Sequence, residues 1–162
     1  AILSTFPLAD PLAIELPGRR QRRVIVVAAI LLDNNGRELP LAIGSAHFNV
    51  LGSARTMWVF GASAARAQQA ETLIRSLPVG PAVVGADVNS WQGSNERAVR
   101  ALIQAFPETP ALRETTFRHG LVLDWMFFRL PDRLRGRVIR AREQYGADHY
   151  PIIGWISPVA TE

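Results

Sequence analysis

The 162-residue sequence has no cysteine. That excludes disulfides and thiolate-bound metals and leaves the cellular compartment open, since exported proteins also do without cysteine. Lysine is absent too, all 18 basic residues being arginine. Such usage follows from a GC-rich coding sequence, so the formal net charge of +4 suits a polyanionic substrate without demonstrating one. No apolar run reaches the roughly 20 residues of a membrane-spanning helix; the longest, Val24 to Leu32, has the length of a buried strand. No basic stretch followed by an apolar core stands at the start, so no signal peptide is read there. Internal repeats, low-complexity tracts and linkers are missing as well, which leaves a single domain over residues 1–162.

The composition is 48% hydrophobic and 20% charged, that of a folded domain able to build a core rather than of a disordered chain. Ala1-Ile2-Leu3-Ser4 reads as a buried strand and Leu12 to Leu16 as a short one. The cluster Arg19, Arg20, Arg22 and Arg23 is either a solvated hairpin end or a phosphate-binding patch. Arg23 to Leu32 and Leu39 to Phe48 flank Asp33-Asn34-Asn35-Gly36, whose Asn-Gly step supplies a tight turn, and are expected to pair antiparallel. Gly52 to Gly61 reads as a loop. Ser63 is the expected cap of a helix to Leu77, with Ala67, Ala70, Ile74 and Leu77 on one face. Ala82 to Val88 is a short apolar strand. Ser94 is the expected cap of a second helix that buries Ala98, Val99, Leu102 and Phe106 and stops at Pro107. Strands are expected at Leu121 to Phe128, Arg137 to Arg142 and Tyr150 to Ile156. The sum is a mostly antiparallel α/β layer structure, not a doubly wound nucleotide-binding sheet.

Polar groups stand where apolar strands end. In Gly85-Ala86-Asp87-Val88-Asn89-Ser90, Asp87 and Asn89 are two apart, which on an extended strand puts them on one face. A carboxylate there can hold a cation or an attacking water and an amide can donate to a phosphoryl oxygen; an Asx turn is the other reading. Asp124, in Leu123-Asp124-Trp125-Met126, is an acid within an apolar strand. It needs a partner, either a catalytic histidine to orient or a structural arginine. Ala147-Asp148-His149-Tyr150-Pro151 sets an acid and an imidazole side by side, offering a metal ligand and a general base. His47, in Ser45-Ala46-His47-Phe48-Asn49, ends its strand in the same manner.

In this order, and over nearly the whole chain, Ala1 to Ser4, Ala46 to Asn49, Gly85 to Ser90, Leu123 to Trp125 and Ala147 to Pro151 resemble the endonuclease/exonuclease/phosphatase superfamily, which includes DNase I-like nucleases. The resemblance implies a four-layer α/β sandwich of two β-sheets with helices outside. It implies hydrolysis of phosphoester bonds by in-line attack of water with Mg²⁺ or Mn²⁺, in nucleic acid, phospholipid or a small phosphodiester. It casts His149 as general base or transition-state partner, Asp124 as the acid orienting it, and Asp87 and Asn89 as the pair positioning water and phosphate. Asp148 takes the place of a metal-site ligand, alongside Asp87, and His47 that of a phosphate contact or second acid/base.

Departures are visible. Ala86 and Ala147 stand where Gly or Asp and Ser are usual, and Phe48-Asn49 where Leu and an acid are more common. The inositol phosphatase branch carries Trp-Cys-Asp-Arg where this chain has Leu123-Asp124-Trp125-Met126, which argues against that branch. The family's early Asn and the metal-binding Glu of a Gln-Glu motif have no counterpart. The expectation is therefore the C-terminal portion of the domain, part of a larger protein or completed by a partner chain, with weak Mg²⁺ affinity on its own. The alternative function is a non-catalytic anion-binding module of the same fold.

Overall fold

The computed structural model describes residues 1–18, 22–34, 37–50 and 60–159. Five strands form the main sheet in chain order: β1 (Ala9–Leu16), β2 (Arg23–Asn34), β3 (Arg37–His47), β4 (Ala82–Asp87) and β5 (Asp124–Arg129). All neighbours are antiparallel except β3 and β4, which run parallel. A parallel step needs a crossover, and the connection between them contains helix α1 (Phe60–Ser76). A second sheet is made of β6 (Leu134–Arg140) and β7 (Ile152–Pro158), paired antiparallel.

Alternation along the strands sends side chains to two different cores. On one face Ile25, Val84, Trp125 and Phe127 pack against Ala70 and Leu73 of α1 and Leu102 of α2 (Arg97–Ala105). On the other, Ile30, Leu41 and Phe128 meet Leu134 of β6, with Met126 and Ile156 against them. Glycine makes that second contact possible. A Cβ on Gly136 would meet the Phe128 ring at 2.6 Å, and one on Gly154 would run into the Met126 sulfur. Helices, five-stranded sheet and two-stranded sheet are thus three of the four layers of the implied sandwich, among the described residues.

The details correct several sequence readings. Residues 1–4 form no strand, and Leu3 is 98% exposed. Helix α1 already includes Phe60 and Gly61, so Ser63 lies inside it rather than capping it. Its buried face also takes in two polar side chains, Arg66 and Gln69. Arg66 bonds the Glu96 carboxylate through Nη2 at 2.8 Å and Nε at 3.1 Å and approaches the Asn49 and Val50 carbonyls. Gln69 accepts from the Asn49 N–H and donates to the Pro17 carbonyl. Ser94 is no helix cap: Gly93–Asn95 form a 3₁₀ turn and Glu96 takes the capping position without a side-chain bond, its carboxylate being engaged by Arg66. The later strands are displaced by a few residues, β7 starting after Pro151, which has no N–H for a ladder. Arg19, Arg20, Asn35-Gly36 and most of Gly52 to Gly61, with Trp58, lie outside the described residues.

Candidate functional site

Sheet register alone lines up three polar side chains. His47, the last residue of β3, is paired with Asp87, the last of β4, and Asp87 with Asp124, the first of β5. Adjacent strands lie roughly 4.8 Å apart, so the three form a row along one rim. His47 Nε2 is 3.4 Å from Asp87 Oδ2.

His149 arrives from outside the sheet. Its Nδ1 lies 2.7 Å from Asp124 Oδ2, and side-chain atoms of Asp87, Asp124 and His149 all fall within 4.8 Å of one another. The carboxylate accepts this bond, so the imidazole donates it through Nδ1.

One residue that sequence reasoning missed ties the pair together. Thr116 is fully buried, and its Oγ1 accepts from the N–H groups of both Leu123 and Asp124 at 2.9 Å. Its carbonyl accepts from the Tyr150 N–H at 2.7 Å. Phe117 bridges to His149, and the two rings lie 4.9 Å apart. The strand bearing the acid and the segment bearing the imidazole therefore hang from one threonine. A Thr in a loop carries no local mark of this. Ser90 is a second such residue: its hydroxyl donates to the Val122 carbonyl and accepts from Trp125 Nε1.

Asn89 follows the Asx-turn alternative rather than the same-face reading, and Asp148 stands apart from the other acids. Asn89 does not continue the strand beside Asp87. It sits at φ +52, a left-handed conformation that Asn tolerates. There its N–H donates to Asp87 Oδ1, making the Asx turn, and its buried Nδ2 donates to the Phe48 carbonyl. Asn89 thus braces Asp87 and joins the ends of β3 and β4. Asp148 is exposed and stands outside the acid–imidazole group; its carbonyl accepts from the Arg118 N–H and Gln144 Nε2. Trp125 is a core residue, 6.0 Å from Phe127 and stacked on it, whereas Trp91 is exposed.

The electrostatics separate the two histidines. Burial alone would lower the pKa of His149, but the hydrogen bond to Asp124 and the charges of Asp124, Asp87 and Asp148 outweigh it and raise the value above the ordinary one. For His47 burial prevails, helped by the charges of Arg23 and His149 against those of Asp87 and Asp124, and the value falls. Burial also pushes Asp87 up, reinforced by Asp124, against the Asn89 hydrogen bond and the attraction of both histidines. Asp87 is therefore a carboxylate short of positive charge.

Asp87 and Asp124, within 4.8 Å of one another and of His149, offer hard carboxylate oxygens, and the unfavourable ionisation of Asp87 is what a divalent cation would relieve. The donor set fits such an ion, with water completing its coordination.

The architecture is the DNase I-like fold. The human Nocturnin catalytic domain, solved with bound sulfate, superposes with a TM-score of 0.64 at 16% identity over 95% of this chain and 60% of its own. Sphingomyelinase C from Streptomyces griseocarneus gives 0.65 at 12% identity over 93% and 65%. A Staphylococcus aureus beta toxin mutant with bound magnesium ions gives 0.51 at 15% identity over 81% and 57%. This chain spans under two thirds of the length of these three solved chains. Neither a family model nor a curated protein sequence matches it.

Proposed function

We propose that the chain carries the catalytic rim of a divalent-metal-dependent hydrolase of phosphoester bonds. The observation that carries this reading is the 2.7 Å contact between His149 and Asp124 with Asp87 beside them. Asp124 holds the imidazole in one orientation and one tautomer, so that Nε2 faces outward to take a proton from water or to meet a phosphoryl oxygen. The three acids around His149 favour its charged form, which suits a group that ends the step protonated. Asp87, fixed by the Asn89 N–H, orients the attacking water from the other side. His47, whose pKa is lowered, is a hydrogen-bonding partner for the phosphate or the second acid/base. Attack is in line on phosphorus, with no covalent enzyme intermediate.

Asp87 and Asp124 would hold the cation through their carboxylates, and Asp148 would extend the acidic rim at its edge. When bound, Mg²⁺ or Mn²⁺ supplies positive charge against the charge developing on the phosphoryl oxygens. The likeness in fold to a sphingomyelinase C and to a magnesium-bearing beta toxin supports the reading. Nucleic acid, phospholipid and small phosphodiesters are the substrate classes to compare.

The test uses the 162-residue chain with bis-p-nitrophenyl phosphate, DNA and sphingomyelin in the presence of Mg²⁺ or Mn²⁺. Turnover is expected to be weak and to vanish in His149→Ala and Asp124→Asn. Mn²⁺ should broaden the NMR signals of residues around Asp87 and Asp124 before any others. Hydrolysis equal in parent and His149→Ala, or Mn²⁺ broadening elsewhere only, would sink the proposal.

A further inference from the structure

On the His47 side of the acid–imidazole group a cleft of about 440 Å³ opens over β2 and β3. Arg22, Arg23, Val26, Ser45, His47 and Asp87 are among its lining residues. Two arginines face it, and they differ. Arg22 is exposed and lies 3.3 Å from Glu15. Arg23, the first residue of β2 and held in register opposite Leu16, has a buried Nε with no hydrogen-bond partner.

A buried N–H left without an acceptor is costly. Arginine is also the side chain whose planar fork of donors matches an oxyanion. The position is suited to one as well. Asp87 lines the cleft and Asp124 lies next along the sheet, so a phosphate approaching His47 meets two carboxylates that repel it. A fixed cation in the same cleft offsets that repulsion. Arg23 is close enough for its charge to act on His47.

Building on the phosphoester reading, we propose that Arg23 is a substrate-binding residue whose guanidinium receives a phosphate oxygen in the cleft it shares with His47. The ligand is a phosphate group, of a monoester or a diester. Pairing of β2 with β1 fixes the arginine's backbone at the start of the strand, on the cleft that also holds His47 and Asp87. Arg22, already paired outside, has no part in it.

Inorganic phosphate tests this without turnover. It is titrated into the full 162-residue chain while the arginine Nε–H signals are followed by NMR, for the parent and for Arg23→Gln, Arg23→Lys and Arg22→Gln. The Arg23 signal should shift saturably. Arg23→Gln should weaken phosphate binding by about tenfold or more. Arg23→Lys, which keeps charge and stem but not the fork, should fall between, and remains informative where the Gln variant is poorly folded. Arg22→Gln should stay within about twofold, an exposed pair contributing little. Phosphate affinity indifferent to Arg23, or equally dependent on Arg22, overturns the proposal. His149→Ala keeps the two readings apart. Phosphate held through Arg23 in a chain whose hydrolysis is indifferent to His149 upholds the anion site and removes the hydrolase. Hydrolysis that needs His149, with phosphate binding indifferent to Arg23, removes the anion site alone.

Discussion

Substituting Arg66 or Glu96 singly should destabilise the chain far more than substituting both. The two residues are 1% exposed and linked at 2.8 and 3.1 Å, joining α1 to the start of α2. Glu96→Leu leaves a buried guanidinium with only the Asn49 and Val50 carbonyls, at 3.4 and 3.3 Å. Arg66→Met leaves a buried carboxylate. Each removes one half of a buried pair and should cost about 4 kcal/mol, or a fall of about 10 °C in melting temperature for a chain of this size. The double variant carries no orphaned charge. It loses the two long bonds to the carbonyls, gains apolar contact, and should lie within about 1 kcal/mol of the parent. Urea unfolding of all four chains gives the coupling free energy. Costs that simply add, or single variants within about 1 kcal/mol of the parent, would refute the premise that the pair is desolvated and mutually dependent. The premise matters to the site because Asn49 and Val50 lie two and three residues after His47.

Thr116→Val strands the buried Leu123 N–H and the half-buried Asp124 N–H and should cost about 2 kcal/mol, while Thr116→Ser restores most of it; equal melts for Val and Ser would contradict the bracing role. Asp87→Asn keeps an acceptor for the Asn89 N–H but removes a carboxylate that burial disfavours. A raised carboxylate pKa contributes stability at low pH that is lost as pH rises through the folded value, so without metal this variant should be about 1 kcal/mol more stable at neutral pH, and inactive. Thermal melts with and without Mn²⁺ decide it, a less stable metal-free variant counting against. The pKa of His149 is raised, so its contribution is fully present below the unfolded value of about 6.5 and lost as pH rises through the higher folded one. His149→Gln should therefore lose more stability at about pH 6 than at about pH 9; urea titrations showing the reverse would be inconsistent with the Asp124 pairing.

Local pattern carried much of the fold. Strand alternation and turn residues located the long hairpin strands β2 and β3, and the stripe Ala98, Val99, Leu102 and Phe106 is the buried face of α2 and its end. Each is decided by neighbours within a few positions, the range over which periodicity speaks. The polar residues at strand ends singled out Asp87, Asp124, His149 and His47 as candidates on the same ground, because an acid or imidazole beside an apolar run is visible without a structure.

Other features required the chain to meet itself. That β4 runs parallel to β3, bringing His47 level with Asp87, depends on a crossover whose direction no short pattern contains. Asn89 leaves the strand because its N–H finds the Asp87 carboxylate and its amide the Phe48 carbonyl, 41 residues away. Arg66 and Glu96, 30 residues apart, carry no local mark of the pairing that burial gives them. Thr116 shows no distinguishing mark until it gathers Leu123, Asp124 and Tyr150 around it. The sequence by itself determined which side chains are available for chemistry and where most of the strands and helices fall, the expected strand at residues 1–4 excepted. Only the tertiary structure decided which of them touch, because a hydrogen bond of 2.7 Å between residues 25 apart depends on packing and register rather than on spacing along the chain.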